Sequence, residues 1–153
     1  MLTVYIDADA CPVKDETYKV AARYALRVVV VANSTMRVPT DAAVELVVRQ
    51  GFGAADDYIA EVCGPGDVVI TADIPLAGRS LVKGSRVVDT RGREITDNEI
   101  GAMLGMRELM EELRQTGAVT GGPRPMAGKD RSRYLATLDN VLSAVRRANP
   151  PAV

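Results

Sequence analysis

Four aspartates are the side chains in this sequence best placed to do chemistry together. Asp7 and Asp9 end a hydrophobic run that starts at residue 2, and Asp73 ends a second run at residues 67–72. Asp56 lies between them in the segment ADDYIA. Sites built only from carboxylates suit hard cations such as Mg²⁺ or Mn²⁺. Such an ion can activate water for phosphodiester hydrolysis, so these aspartates are predicted to be both metal ligands and catalytic groups.

Helical spacing favours Asp56 over its neighbour Asp57 as a site residue. Asp56 precedes Ile59 by three positions, so it borders the buried face of the helix predicted there. Asp57 instead aligns with Glu61 on the solvent face.

Each aspartate taken alone also fits a structural role. Asp7 and Asp9 could cap a helix entered at Pro12, and Asp73 could cap the helix that follows it. Asp56 could be an exposed first-turn acid that is favourable to the helix dipole. The presence of all three acidic segments favours the metal site.

Composition excludes several kinds of chemistry. The chain has 153 residues, a length typical of one domain, and it has no histidine. The missing imidazole excludes Ser-His and Cys-His catalysis and histidine-based zinc sites. The net charge of −1 provides no general basic field, so nucleic-acid binding would need a local patch. No signal-peptide layout or membrane-spanning run is visible, which predicts a cytoplasmic protein without a membrane partner.

The order of hydrophobic patterns predicts an α/β fold. Strands are expected at 2–6, 28–31, 44–48, 67–72 and 86–89, with helices at 12–25, around 55–63 and at 74–83. This order predicts a Rossmann-like parallel sheet of about five strands with helices on both faces. Right-handed crossovers commonly place the first and fourth strands side by side, so Asp7 and Asp73 would be neighbours at the carboxyl edge.

Residues 96–148 are predicted to form a mainly helical C-terminal part of the same single domain, which would span 1–153. Thr96 and Glu99 have the spacing of a capping box that opens one helix. A last helix is expected to face inward with Leu135, Leu138 and the apolar residues that follow. These helices would either cover one end of the sheet or form an interface between copies, so a homo-oligomer is one expectation.

Further polar residues could bind substrate. Asn33, Ser34 and Arg37 follow the second strand, and Arg37 could hold a phosphate. Arg131 lies beside a Gly- and Pro-rich loop and could contact a nucleic-acid backbone. A polar turn and a charged helix surface are the alternatives for these two groups. The segment Gly51-Phe52-Gly53 imitates a dinucleotide fingerprint, but Asp56 occupies the third glycine position, which favours a tight turn.

Several stretches together resemble a known family. They are DADACPVK at 7–14, VANSTMRVP at 31–39, GFGAADDYI at 51–59, GDVVITADIPLA at 66–77, TRG at 90–92, MRELM at 106–110 and GGP at 121–123. The chain resembles the YaiI/YqxD family of uncharacterised bacterial proteins across most of its length. That resemblance implies no particular reaction.

At the level of the fold, the chain also resembles PIN-like nuclease domains. Asp7 matches their acid after the first strand, Asp56 their helical acid, and Thr71 with Asp73 their Thr-x-Asp after the fourth strand. This implies a Mg²⁺- or Mn²⁺-dependent nuclease acting on RNA or DNA, with Thr71 among the substrate-binding residues. PIN-like domains usually carry one more acid on an earlier helix, and only Asp9 could replace it here.

Two other functions fit the sequence. A haloacid-dehalogenase-like phosphatase would use Asp7 as nucleophile and Asp9 as general acid, with Ser34 or Thr35 after the second strand as its second motif. Its lysine should precede the last acidic motif, whereas Lys83 follows Asp73. The other alternative is a non-catalytic nucleic-acid-binding or interaction protein with the same PIN-like fold.

Overall fold

Strands and helices alternate along the first half of the chain, and the remainder is mainly helical. The structure is a computed structural model that describes residues 2–40, 43–117 and 125–150. The strands are β1 (Thr3–Asp7), β2 (Arg27–Ala32), β3 (Val44–Val48), β4 (Val68–Ile70), β5 (Arg86–Val88) and β6 (Glu94–Ile95). The helices are α1 (Lys14–Arg23), α2 (Ala54–Val62), α3 (Ile74–Val82), α4 (Asp97–Gln115) and α5 (Gly128–Ala148), and a short 3₁₀ helix spans Ala8–Ala10.

The strands form one sheet in the order β3-β2-β1-β4-β5-β6. Strands β1 to β5 run parallel, and β6 pairs antiparallel with β5. Ile6 in β1 lies between Val30 of β2 and Ile70 of β4. The predicted α/β class and the adjacency of the first and fourth strands are therefore confirmed.

Helices cover both faces of the sheet. Continuous apolar runs such as Val28–Val31 bury side chains on both faces, as strands of a parallel sheet require. One face packs against α1 and α5, and its core includes Val4, Ile6, Val20, Tyr134 and Leu138. The other face packs against α2 and α3, with Tyr5, Val29, Ile59, Val69 and Leu76 in its core.

Helix α5 is the principal cover of the first face. Leu138 and Leu142 are fully buried, and the Tyr134 hydroxyl lies 2.6 Å from Thr17 Oγ1 of α1. The expectation that Leu135 faces inward is wrong, because 37% of this residue is exposed. At helical spacing Leu135 points about 100° away from Tyr134, toward solvent.

Helix α4 packs along α3, where Ile100 Cγ1 would lie 3.4 Å from a Cβ placed on Gly78. Thr96 is its N-cap residue, but its side chain makes no capping hydrogen bond. The Glu99 carboxylate accepts a hydrogen bond from Arg93 Nη2 at 2.7 Å instead. The predicted capping box is therefore not formed, because the nearby guanidinium binds the acid. Met106 and Leu109 are exposed on this helix.

The tight turn that links β5 to β6 packs against α5. Gly92 in this turn has φ +89°, and a Cβ there would lie 2.6 Å from the backbone of Arg133 and Tyr134. Its carbonyl accepts a 2.7 Å hydrogen bond from Thr137 Oγ1. The turn backbone thus lies directly on the surface of α5. Separately, none of the helices in the described ranges is long and apolar enough to cross a membrane.

Candidate functional site

A cleft opens at the carboxyl edge of the sheet, where the strand order reverses between β1 and β4. Ligands of open α/β sheets bind at such a reversal. The cleft has a volume of about 430 Å³ and is lined by Asp7, Asp9, Asn33, Phe52, Gly53, Ala55, Asp56, Ala72 and Asp73. All four aspartates singled out in the sequence therefore line one cleft.

The Thr71 hydroxyl connects the two strand-end acids. It donates a 2.9 Å hydrogen bond to Asp7 Oδ2 and accepts one of 3.0 Å from the backbone N–H of Asp73. Asp73 Oδ1 in turn accepts a 2.9 Å hydrogen bond from Leu76 N and caps α3. The helix-capping role weighed for Asp73 is thus real, yet it uses only one carboxylate oxygen.

Asp9 enters the cleft from the short 3₁₀ helix that follows β1. Its Oδ1 accepts a 3.1 Å hydrogen bond from the backbone N–H of Asn33, which follows β2. The sequence leaves open a capping role for Asp7 and Asp9. Asp7 stands at the N-cap of the 3₁₀ helix but makes no side-chain capping bond. The helix that follows Pro12 is α1, whose N-cap is Val13 and has no side-chain capping bond, so neither aspartate caps it.

Asp56 and Asp57 occupy different environments on α2, which begins after Gly53. Asp56 is half-buried and lines the cleft. Asp57 is exposed and forms a 2.8 Å ion pair with Arg79 of α3. This placement matches the helical spacing that favours Asp56.

The charges in the cleft repel one another. Burial raises the pKa of Asp7 from its ordinary value of 3.8 to about 6, against the lowering effect of the Thr71 hydrogen bond. The neighbouring charges of Asp56, Asp9 and Asp73 add to this rise in the pKa of Asp7. The pKa of Asp56 is also raised, chiefly by burial and then by the charge of Asp73, while Arg79 lowers it.

No lysine or arginine is among the described residues that line the cleft. Within the same described residues, the carboxylate of Asp56, Oδ1 of Asp7 and Oδ2 of Asp73 make no hydrogen bond. These oxygens are hard donors suited to a divalent cation. No three His, Cys, Asp or Glu side chains in the described ranges are arranged to hold a metal ion as they stand. Coordination would therefore require some of the carboxylates to move inward.

Two helices begin at the cleft. Gly53 is the N-cap of α2 and adopts the left-handed conformation, with φ +70°. Asp73 is the N-cap of α3. The N-termini of helices carry partial positive charge, so they partly offset the carboxylates.

Comparison with known proteins gives this chain its family. A family model described as "Uncharacterized BCR, YaiI/YqxD family" matches residues 5–144. The chain belongs to the YaiI/YqxD family.

Relatives in this family are similar over nearly their whole length. A UPF0178 protein of Rhodospirillum centenum is 53% identical over 152 residues, covering 96% of this chain and 99% of the relative. One of Caulobacter vibrioides is 52% identical over 149 residues, and one of Rhodopseudomonas palustris is 49% identical over 150 residues. The alignments cover 97% of both chains in each of these two cases. No solved structure matches the chain.

Of the other polar residues that the sequence suggests as substrate-binding in this YaiI/YqxD protein, some line the cleft and others lie outside it. Asn33 lines the cleft, whereas Ser34 is exposed and not part of the lining. Arg37 lies in a separate surface depression beside Lys14. Arg131 Nη1 pairs with Glu16 at 2.9 Å and also donates a hydrogen bond to the Pro12 carbonyl.

Thr71 has only 1% of its surface exposed, and its hydroxyl is occupied by Asp7 and Asp73. In this structure it positions the two acids. The substrate-binding roles of Thr71 and the other polar residues stay predictions. The GGP stretch at 121–123 lies outside the described residues.

Phe52 is a cleft residue that the sequence patterns do not predict. The two flanking glycines indicate a tight turn, and the structure places Phe52 in a turn, but the residue also lines the cleft. The available signal is a single phenylalanine between two glycines, immediately before an acidic helix.

Proposed function

We propose that this protein hydrolyses phosphodiester bonds of RNA or DNA with the help of Mg²⁺ or Mn²⁺. Asp7, Asp56 and Asp73 would hold the ion, and Asp9 would act as a further ligand or position water. When bound, the ion would supply an activated water and neutralise charge on the phosphate. The resemblance to PIN-like domains points to the same reaction class.

One observation supports the proposal above all others. Four carboxylates line one cleft, at the strand-order reversal, without a lysine or arginine among the described lining residues. Such a cleft repels a nucleic-acid phosphate unless a cation intervenes. A divalent ion would remove both the repulsion among the acids and their repulsion of the phosphate, since it neutralises the acids and attracts the phosphate.

The chain's own residues would prepare this site. The Thr71 hydroxyl fixes the orientation of Asp7 and holds the start of α3 in place. Because the pKa of Asp7 is about 6, this carboxylate is largely ionised at neutral pH and protonated at acidic pH. Ion binding is therefore expected to weaken as the pH falls through about 6.

A non-catalytic nucleic-acid-binding protein is the second candidate. The observation in its favour is that no three acidic or cysteine side chains in the described ranges stand ready to hold an ion. The phosphatase alternative lacks comparable support. Lys83 Nζ, which that chemistry would need in the cleft, donates a hydrogen bond to the Glu61 carbonyl and is not among the described lining residues.

Calorimetric titration with Mn²⁺ tests ion binding directly. Asp73→Asn removes the charge and keeps an amide oxygen that can still cap α3, so its fold should be retained. We expect wild type to bind Mn²⁺ and Asp73→Asn to bind at least about tenfold more weakly. Asp57→Asn is the matched control, because Asp57 lies outside the cleft, and it should behave like wild type. Equal binding by all three proteins would rule out the proposed site.

Cleavage of end-labelled RNA and DNA oligonucleotides tests the reaction. Activity should require Mn²⁺ or Mg²⁺, disappear in Asp7→Asn and Asp73→Asn, and persist in Asp57→Asn. Oligonucleotide binding without cleavage under all these conditions would instead support the non-catalytic candidate.

A further inference from the structure

Phe52 is presented to solvent in an unusual way. It is the only phenylalanine in the chain, and it is 108% exposed relative to an isolated reference residue. A fully exposed phenyl ring forgoes the stabilisation that burial would give it. The fold gains nothing from the ring in this position, so its placement points to a ligand.

The backbone around Phe52 holds the ring outward. Gly51 and Gly53 on either side have φ +112° and +70°, conformations that other residues rarely adopt. Ala54 N donates a 3.2 Å hydrogen bond to the Gly51 carbonyl, and Asp57 N donates one of 2.9 Å to the Gly53 carbonyl. The turn is thereby tied to the first turn of α2.

Phe52 lines the same cleft as the four carboxylates, and its ring is fully exposed there. Beside it are the small residues Gly53, Ala55 and Ala72, which leave room for a flat group. Asn33 lines the cleft as well and carries an exposed carboxamide. An amide of this kind can donate to and accept from the edge of a base. The cleft therefore combines an exposed aromatic ring, a polar edge and a group of acids that could hold a phosphate-binding cation.

We propose that Phe52 stacks on an unpaired nucleobase of a nucleic-acid strand whose phosphodiester lies at the aspartates. This inference rests on the proposed function and specifies its substrate as single-stranded. Aromatic side chains commonly bind single strands in this way, because every base has a π-face. A base inside a duplex is already stacked on both sides, so it offers no free face to the ring.

A fluorescence experiment tests the stacking. The chain has no tryptophan, so Phe52→Trp introduces a single tryptophan at the cleft, whose emission can be excited apart from that of the tyrosines. Titration with a single-stranded oligonucleotide in Mg²⁺ should quench its emission. The same sequence as a duplex, or a strand of abasic sugar-phosphate with equal charge, should quench it much less. Equal quenching by all three ligands would overturn the proposal, since charge alone would then explain binding.

Binding by the phenylalanine protein itself provides a second readout. Phe52→Leu should weaken single-strand affinity by about tenfold or more, and Phe52→Tyr should restore most of it because the ring is retained. Val82→Ala is the matched control, since Val82 is 87% exposed but lies on the far end of α3. Unchanged affinity in Phe52→Leu, with circular dichroism confirming the fold, would refute the stacking role.

The two proposals can fail separately. Metal-dependent cleavage with equal rates and affinities in wild type and Phe52→Leu would retain the proposed function and reject stacking. Ring-dependent single-strand binding without Mn²⁺ binding or cleavage would retain stacking and reject hydrolysis.

Discussion

At the scale of single residues, the carboxylate of Asp7 carries an energetic cost that its neighbours only partly reduce. It is largely buried beside three other acids, and the Thr71 hydroxyl is its only hydrogen-bond donor in the described part of the chain. Ionising Asp7 at neutral pH therefore costs folding free energy. A group retained at a cost to stability is characteristic of functional sites.

Asp7→Asn should stabilise the protein at neutral pH. The folded-state pKa of about 6 exceeds the ordinary value of 3.8, so the folded state holds the proton more tightly. The favourable contribution of Asp7 to the free energy of unfolding is complete below pH 3.8 and is lost as the pH rises through about 6. At about pH 7.5 the substitution should add about 1 kcal/mol to the free energy of unfolding, a value reduced for partial solvent exposure.

Urea unfolding at several pH values measures this effect. The gain in the free energy of unfolding from Asp7→Asn should shrink toward zero near pH 4, where wild-type Asp7 is protonated in the folded state. Asp57→Asn, at an exposed ion pair, should show a smaller change with no step near pH 6. A gain for Asp7→Asn that does not vary with pH would contradict the assigned cause.

A site residue can be predicted from the sequence when the local hydrophobic pattern fixes its place on a strand or helix. Asp7 and Asp73 end strands, and Asp56 borders the apolar face of a helix, so their convergence follows from periodicity and strand order. The locations of Arg37 and Arg131 do not follow in this way. Arg131 lies 115 positions from its partner Glu16, and no local pattern encodes such a contact. Phe52 escapes prediction because an apolar side chain in a turn has no periodic signal.

At the scale of secondary-structure elements, the turn between β5 and β6 lies directly against α5. A Cβ on Gly92 would lie within 2.6 Å of the α5 backbone, where neither side can move easily. The glycine is therefore required for two reasons, a left-handed backbone and a lack of space.

Gly92→Ala should destabilise the protein by about 3 kcal/mol or more, because the methyl group would push α5 away from the turn. Gly117→Ala is the matched control. Gly117 also has a left-handed backbone, with φ +78°, but a Cβ added to it would meet no described atom within 4 Å. Its substitution should cost only about 1 kcal/mol. Thermal unfolding distinguishes the two, and equal losses would show that backbone strain alone matters.

The sequence predicts long elements better than short ones. Strands β1 to β5 are each expected within one or two residues of their observed bounds, because β-branched runs mark them. Strand β6, Glu94–Ile95, has only two residues and is not predicted, since so short a segment has no pattern. The capping motif at Thr96 is visible in the sequence, but Arg93 competes for Glu99 through a contact that the motif does not include.

At the scale of the whole molecule, the two faces of the sheet are covered in different ways. One face has the long helix α5 over its centre, packed beside α1. The other has the two short helices α2 and α3, whose first turns reach the cleft. The cleft thus lies between the carboxyl ends of the strands and the first turns of the second layer, and no residue of α1 or α5 is among its described lining residues.

Leu138→Ala should therefore lower the free energy of unfolding by about 2–5 kcal/mol, because Leu138 is fully buried between α5 and the sheet. Leu135→Ala, on the same helix but 37% exposed, should cost about 1 kcal/mol or less. Chemical denaturation with both variants checks the burial of α5. Similar losses for the two would mean that the helix is rotated from the position described.

The start of two helices at the cleft has a consequence for how the proposed cation would be acquired. The partial positive charge at the N-termini of α2 and α3 gives the aspartates some compensation within the protein itself. If the proposed ion binds here, the polypeptide would fold before the ion arrives, unlike small metal-dependent domains that unfold on chelation. Removing the ion would then empty the cleft and leave the folded protein intact.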